Sequence, residues 1–141
     1  WIVDDVVSVL QETIPGVSPS SPVFIGGLSM GGFGALRIGA KYGYKFKGIS
    51  VHSSITSLEQ MKFFAFEYIE RYQQDETSDE DVFETIKNYQ ALIDYNRQLH
   101  QVLAEQSIAH TYQENPGEHE WPYWEKHIGD SLRFFGKQTN S

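Results

Sequence analysis

The fold is decided by the stretch Val23-Phe24-Ile25-Gly26-Gly27-Leu28-Ser29-Met30-Gly31-Gly32. It opens on a short apolar run after the Pro-, Gly- and Ser-rich residues 14–22, which is typical of a buried strand after a loop. Beyond it, apolar residues continue at helical spacing to about Tyr42. Ser29 is therefore predicted to sit at a sharp turn from a strand into a helix.

The residues on either side extend this alternation of strands and helices. Residues 2–12 carry apolar side chains at helical spacing and predict an amphipathic helix. Gly48 to His52 predicts the next strand, Leu92 to Leu103 a helix, and Ile108 to Gln113 a further strand. A final helix is predicted from Pro122, with an inner face made of Tyr123, Trp124, Ile128, Leu132 and Phe135. This order predicts an α/β fold with a parallel sheet flanked by helices.

Two further helix starts lie between the second strand and Leu92. Ser57-Leu58-Glu59-Gln60 has the form of a capping box and predicts a helix through about Tyr72. Thr77-Ser78-Asp79-Glu80 repeats that signal. We expect residues 57–90 to form a helical cap over a pocket. Aromatic side chains of this segment either line an acyl site or pack the cap onto the sheet: Phe63, Phe64, Phe66, Tyr68 and Tyr72.

Composition narrows the classes of protein. The 141 residues are 40% hydrophobic and 14% aromatic, enough for a packed core, and carry a net charge of −8. An acidic chain without a basic patch is a poor nucleic-acid binder. There is no cysteine, which excludes disulfides, thiolate metal sites and cysteine nucleophiles and fits a cytoplasmic location. No apolar run reaches ~18 residues, so no membrane span is expected.

The pattern Gly27-Leu28-Ser29-Met30-Gly31 matches G-x-S-x-G, the nucleophile elbow. A serine at such a turn has a strained backbone, and its side chain is held clear of the sheet. We expect Gly27 and Gly31 to be glycines because side chains there would clash with the closely passing chain. The helix that starts at Ser29 directs free amides at the site, so the Met30 backbone N–H is a candidate oxyanion donor.

A serine nucleophile needs a base, and five histidines are available. His100, His110 and His127 fall within predicted helices or strands and are expected to be surface or packing residues. His52 closes the second strand and could line the pocket. His119 follows the Pro116-Gly117 turn, in a loop where the base of such a fold is found, and is the predicted base.

Longer motifs resemble the esterase D-like family of α/β-hydrolases, which includes S-formylglutathione hydrolases, tributyrin esterases and feruloyl esterases. The family's elbow is similar to Gly27–Leu36, and the strand that follows it is similar to Ser50–Ser54. The family's histidine motif, G-x-H-x-W followed by Tyr-Trp, is similar to Tyr112–Trp124. Ser131-Leu132-Arg133-Phe134-Phe135 is similar to its closing helix. The resemblance implies an α/β-hydrolase fold and a Ser-His-Asp acyl-enzyme mechanism without metal or cofactor.

The sequence departs from the family where the third member of the triad is expected. Gln90 stands where the family has its aspartate, and Asp94, the nearest carboxylate, lies about a turn into the following helix. The family's N-terminal strands, which carry the second oxyanion donor, are also absent. We therefore expect residues 1–141 to be one incomplete domain, lacking those strands and the acid-bearing loop, that does not fold stably alone.

These observations predict a serine hydrolase of small or short-chain carboxylic esters. Three alternatives remain open: a thioesterase of the S-formylglutathione hydrolase kind, an acyltransferase to a sugar, and a catalytically inactive homologue that serves as a binding module. The expected partner is a small-molecule ester, with no nucleic acid or membrane. The sequence does not decide whether the protein forms homo-oligomers.

Overall fold

The computed structural model describes residues 1–57, residue 60 and residues 89–139. Its centre is a parallel pair of strands, β1 (Phe24–Leu28) and β2 (Gly48–His52). Phe24 lies opposite Gly48 and Leu28 opposite His52, so the two strands end together at one edge of the sheet. The predicted α/β class with a parallel sheet is confirmed.

In the described part of the chain, four α-helices accompany the strands. A π-helical turn, Ile2–Val6, leads into α1 (Val7–Thr13). Helix α2 (Ser29–Lys41) connects the two strands and is followed by a short 3-10 turn, Gly43–Lys45. Helices α3 (Tyr89–Glu105) and α4 (Trp121–Thr139) follow. The predicted helices at residues 2–12, at 92–103 and from Pro122 are therefore confirmed with slightly different ends.

Side chains alternate across the sheet, so its two faces meet different helices. On one face, Ile25 and Ile49 lie against Gly39 of α2. On the other, Phe24 stacks on Phe135 of α4 with ring centroids 4.6 Å apart. A helix thus contacts each face of the strand pair, as is typical of parallel sheets.

The elbow region is anchored by a small buried cluster. Phe33 of α2, Ile55 after β2 and Leu92 of α3 form it. The amide of Asn96 on α3 also donates to the carbonyl of Ser54 over 2.8 Å. Helix α3 is therefore joined to the segment that leaves β2 beside the elbow.

The predicted inner face of the last helix is wrong in part. Ile128 and Leu132 are 46% and 65% exposed, whereas Ser131 is only 5% exposed. The sheet face opposite α4 carries the polar side chains of Ser50 and His52, both of which hydrogen-bond to Ser131. Polar complementarity, rather than apolar spacing, therefore decides which side of α4 faces the sheet.

The predicted strand from Ile108 to Gln113 is also wrong, since this segment is irregular. Helix α3 ends in a Schellman cap, in which Ser107 adopts a positive φ of 55° and the N–H of Ile108 donates to the carbonyl of Leu103 over 2.9 Å. The N–H of Ile108, the first residue of the predicted strand, is therefore bonded to α3 and is not free to pair with another strand.

The proposed cap segment lies largely outside the described residues, as do the predicted helices through Tyr72 and from Thr77. The start of the first one is visible: the N–H of Gln60 donates to Ser57 Oγ over 3.2 Å, as a capping box requires. Within the described ranges, no helix is long and apolar enough to cross a bilayer.

Candidate active site

Ser29 stands at the junction of β1 and α2 with a strained backbone. Its φ is +51°, in the left-handed region that non-glycine residues rarely occupy. Gly27 makes this turn possible, because a Cβ there would lie 2.2 Å from the carbonyl oxygen of Gly31. The carbonyl of Ser29 accepts the N–H of Ile55 over 3.2 Å, which ties the turn to the segment after β2.

The steric role expected for Gly31 is not found. A Cβ on Gly31 would meet nothing within 4 Å among the described residues. The tight position is Gly32, where a Cβ would lie 2.6 Å from Oγ of the buried Ser54. Gly31 lies on the open side of α2 and Gly32 on the side that packs against the chain after β2, so the second close approach falls one residue later than predicted.

His119 reaches Ser29 across 90 residues of sequence. Its Nε2 lies 2.9 Å from Ser29 Oγ, so the hydroxyl is placed to donate a hydrogen bond to the imidazole. The imidazole belongs to the loop before α4, and both side chains are partly buried. The structure therefore brings together the two residues predicted as nucleophile and base.

Burial also favours the neutral form of the His119 imidazole. Removal from water penalises the imidazolium and lowers the pKa of His119 below its usual 6.5. A neutral imidazole can accept the serine proton, whereas an imidazolium cannot. The environment thus favours the protonation state that a general base needs at neutral pH.

Met30 is the second residue of α2 and is 50% exposed. Amides in the first turn of a helix have no intrahelical acceptor, and the helix dipole makes that end favourable for negative charge. The predicted oxyanion donor, the Met30 N–H, is therefore an amide of the first turn of α2, next to Ser29 in the chain.

The two positions considered for the triad acid lie on α3. Asp94 is on the exposed surface and pairs with Arg97 of the same helix at 3.0 Å. The Arg97 guanidinium also donates two hydrogen bonds, each 2.7 Å long, to Glu114. Gln90 lies in the first turn of α3. Asp94 is thus engaged in a surface ion pair.

The other histidines lie in separate networks. His52 Nε2 is 2.6 Å from Ser131 Oγ, so His52 joins the sheet to α4. His100 and His110 hydrogen-bond to each other at 2.7 Å on the surface. His127 pairs with Asp130 on α4 at 3.3 Å. Among the residues that the structure describes, no three His, Asp or Glu side chains are grouped so that they could hold a metal ion.

Sequence reasoning missed one neighbour of the site. The ring of Trp124 meets the ring of His119 nearly at right angles, with centroids 4.9 Å apart. The Tyr-Trp pair after the histidine was a visible signal, but spacing alone assigned Trp124 to the inner face of the last helix.

A serine held at positive φ between a parallel strand and a helix, within hydrogen-bond distance of a loop imidazole, defines the α/β-hydrolase class. The chain belongs to the family described as Putative esterase, whose model matches residues 2–91. It is also 28% identical over 170 residues to an acetyl esterase from Caldicellulosiruptor saccharolyticus. No solved structure matches the chain with significant similarity.

The chain spans only part of that relative. The match covers 99% of this chain but 64% of the acetyl esterase. The matched stretch of 170 positions is longer than the 141 residues of the chain, so the acetyl esterase has residues within it that this chain lacks.

Proposed function

We propose that this protein is a serine carboxylic ester hydrolase in which Ser29 is the nucleophile and His119 the general base. The observation that carries the proposal is the 2.9 Å approach of Ser29 Oγ to His119 Nε2. Membership in an esterase family and the similarity to an acetyl esterase support the reaction class.

The reaction proceeds by acyl transfer through a covalent intermediate. The Ser29 proton moves to His119 Nε2 while Oγ forms a bond to the ester carbonyl carbon. The tetrahedral intermediate collapses, its bond to the alcohol oxygen breaks, and His119 gives the proton to that oxygen. Water then loses a proton to His119, attacks the acyl carbon and releases the acid, and Ser29 regains its proton.

The carbonyl oxygen becomes negative in each tetrahedral intermediate. The Met30 N–H at the start of α2 stabilises that charge, and the dipole of this 13-residue helix adds to it. The partner donor expected from the family resemblance would come from chain that precedes the elbow.

The triad acid would orient the His119 imidazole and stabilise its charged form. We assign neither Gln90 nor Asp94 to this role, because Gln90 cannot carry the charge and Asp94 is paired with Arg97. An acid-bearing loop absent from this sequence is supported by the extra residues of the acetyl esterase within the matched stretch.

Small acyl esters, acetyl esters foremost, are the proposed substrates, on the similarity to an acetyl esterase. The same serine and imidazole would also serve a thioesterase or an acyltransferase, which differ only in leaving group or acceptor. We also propose a cytoplasmic location, because the chain uses no cysteine.

The test is hydrolysis of p-nitrophenyl acetate by the full-length protein and by its Ser29→Ala and His119→Gln variants. We expect each substitution to lower kcat by about 10³-fold or more, because nucleophile and base act as one unit. Ser53→Ala is the matched control, since Ser53 also adopts a positive φ (46°) after a strand but has no assigned role. Wild-type activity no higher than that of Ser29→Ala would leave the inactive binding homologue as the better description.

A further inference from the structure

The imidazole of His119 is bounded on one side by an indole. The rings of His119 and Trp124 make an interplanar angle of 85° with centroids 4.9 Å apart, the edge-to-face geometry that aromatic pairs prefer. Trp124 belongs to the first turn of α4, five residues after the histidine.

Ring orientation matters for the proposed base. Rotation of an imidazole by half a turn about its Cβ–Cγ bond exchanges its nitrogens with carbons, and this terminal torsion is broad in an unrestrained side chain. Such a rotation would replace Nε2 by a carbon next to Ser29 Oγ. An indole packed at right angles to the imidazole resists it, because the turning ring would collide with its neighbour.

The indole itself is held by packing and by the backbone. The backbone N–H of Trp124 donates to the carbonyl of Glu120 over 3.3 Å, and the ring of Trp121 meets the Trp124 ring at 89° with centroids 5.3 Å apart. Buried indole N–H groups usually find a hydrogen-bond partner. The buried Trp124 Nε1 has none within the described part of the chain, so ring contacts rather than its own hydrogen bond set its place.

The loop that carries His119 is fitted to the neighbouring tyrosine as well. Gly117 adopts a φ of +150°, and a Cβ there would lie 2.4 Å from the Tyr123 ring. The loop therefore packs against this pair at two points: Gly117 lies close to the Tyr123 ring, and the His119 ring contacts the Trp124 ring.

We propose that Trp124 is a positioning residue, whose indole holds the His119 imidazole in the orientation that places Nε2 on Ser29. This inference rests on the proposed function. It predicts a specific kinetic signature: loss of the indole impairs proton transfer from Ser29 and leaves substrate binding largely intact.

The kinetic test compares Trp124→Leu, Trp124→Phe and Trp1→Leu in the full-length protein, with p-nitrophenyl acetate as substrate. Trp1→Leu is the matched control, because Trp1 is 80% exposed and its ring makes no contact with the His119 loop among the described residues. Each kcat is normalised to the fraction of sites titrated by an organophosphonate, so that misfolded protein is not counted. We expect Trp124→Leu to lose about 10- to 100-fold in kcat with KM nearly unchanged, and Trp124→Phe to recover most of it.

A spectroscopic test reports on the contact directly. Imidazolium in contact with an indole quenches its fluorescence, whereas neutral imidazole quenches it less. We expect indole emission to fall as His119 is protonated at acid pH, and this titration to disappear in both His119→Gln and Trp124→Phe but to persist in Trp1→Leu.

The outcomes separate this inference from the function on which it rests. If Ser29→Ala and His119→Gln lose activity but titrated Trp124→Leu keeps wild-type kcat, or if the fluorescence titration survives in Trp124→Phe, Trp124 does not position the base. If Ser29→Ala is as active as wild type, the proposed function itself fails, and the fluorescence titration still decides whether the two rings are in contact.

Discussion

Ser131 Oγ lies 2.6 Å from His52 Nε2, and this hydrogen bond joins the last helix to the end of β2. The same hydroxyl is 2.6 Å from Ser50 Oγ, so a buried oxygen serves two partners on the sheet. Because α4 begins at Trp121, directly after the His119 loop, this contact helps to place the loop on the sheet.

Removal of the shared hydroxyl is therefore expected to destabilise the fold. Ser131→Ala leaves Ser50 and His52 without this partner in a poorly hydrated place, which costs about 1–3 kcal/mol of unfolding free energy. Leu132→Ala is the control, since Leu132 is 65% exposed and its truncation should change stability by less than about 0.5 kcal/mol. Denaturant unfolding of the full-length protein measures both; equal effects would argue against a structural role for the hydroxyl.

Gly27 is expected to tolerate no side chain. In Gly27→Ala the new Cβ would lie 2.2 Å from the Gly31 carbonyl oxygen, so the turn must open and move Ser29. We expect a loss of about 100-fold or more in kcat towards p-nitrophenyl acetate, as misplacement of a reacting group produces. Gly34→Ala has open space among the described residues and should raise stability by about 0.5–1 kcal/mol. A fully active Gly27→Ala variant would contradict the turn geometry.

The activity should depend on pH through one imidazole. Burial lowers the pKa of His119 below 6.5, so the neutral base persists into weakly acidic solution, and kcat/KM should fall only as pH drops through that lowered pKa. His52→Gln is the control, because burial lowers the pKa of His52 too and the profile should survive its removal. A midpoint above 6.5, or one that moves in His52→Gln, would contradict the assignment.

The carboxyl group of Glu114 should titrate far below its usual range. Hydrogen bonds from Arg97, and then from Tyr112, lower the pKa of Glu114 from 4.5 to about 2. Since the pKa is lowered in the folded state, this carboxylate stabilises the fold above pH 4.5, and the contribution is lost as pH falls towards about 2. The side chains of Arg97 and Glu114 lie at the surface, so added salt should weaken this stabilisation.

Carboxyl NMR titration checks this value in the full-length protein. Arg97→Gln should bring the pKa of Glu114 back towards 4.5, whereas Asp94→Asn should leave it low, since Asp94 bonds the guanidinium and not Glu114. A normal pKa of Glu114 in the unmodified protein would show that the pair does not form in solution.

Local sequence was sufficient for most elements and for the serine turn. Phe24 to Ser29 combines an apolar strand with a glycine-flanked serine, and both properties depend on neighbours within a few residues. Apolar periodicity gave wrong predictions at two places, the strand from Ile108 and the inner face of the last helix. The amide of Ile108 is taken by the cap of α3, and Ser131 is drawn inward by Ser50 and His52, which hydropathy cannot register.

The sequence predicted Ser29 through a motif and His119 through its loop position, but it did not predict the distance between their side chains. By itself the sequence determined the parallel α/β alternation, the strained turn at Ser29 and the choice of His119, because these follow from spacing and residue type. Only the tertiary structure decided that Ser29 Oγ and His119 Nε2 lie 2.9 Å apart and that Trp124 packs against the imidazole. Contacts between distant residues depend on how α4 and its loop pack on the sheet, and no local pattern encodes that packing.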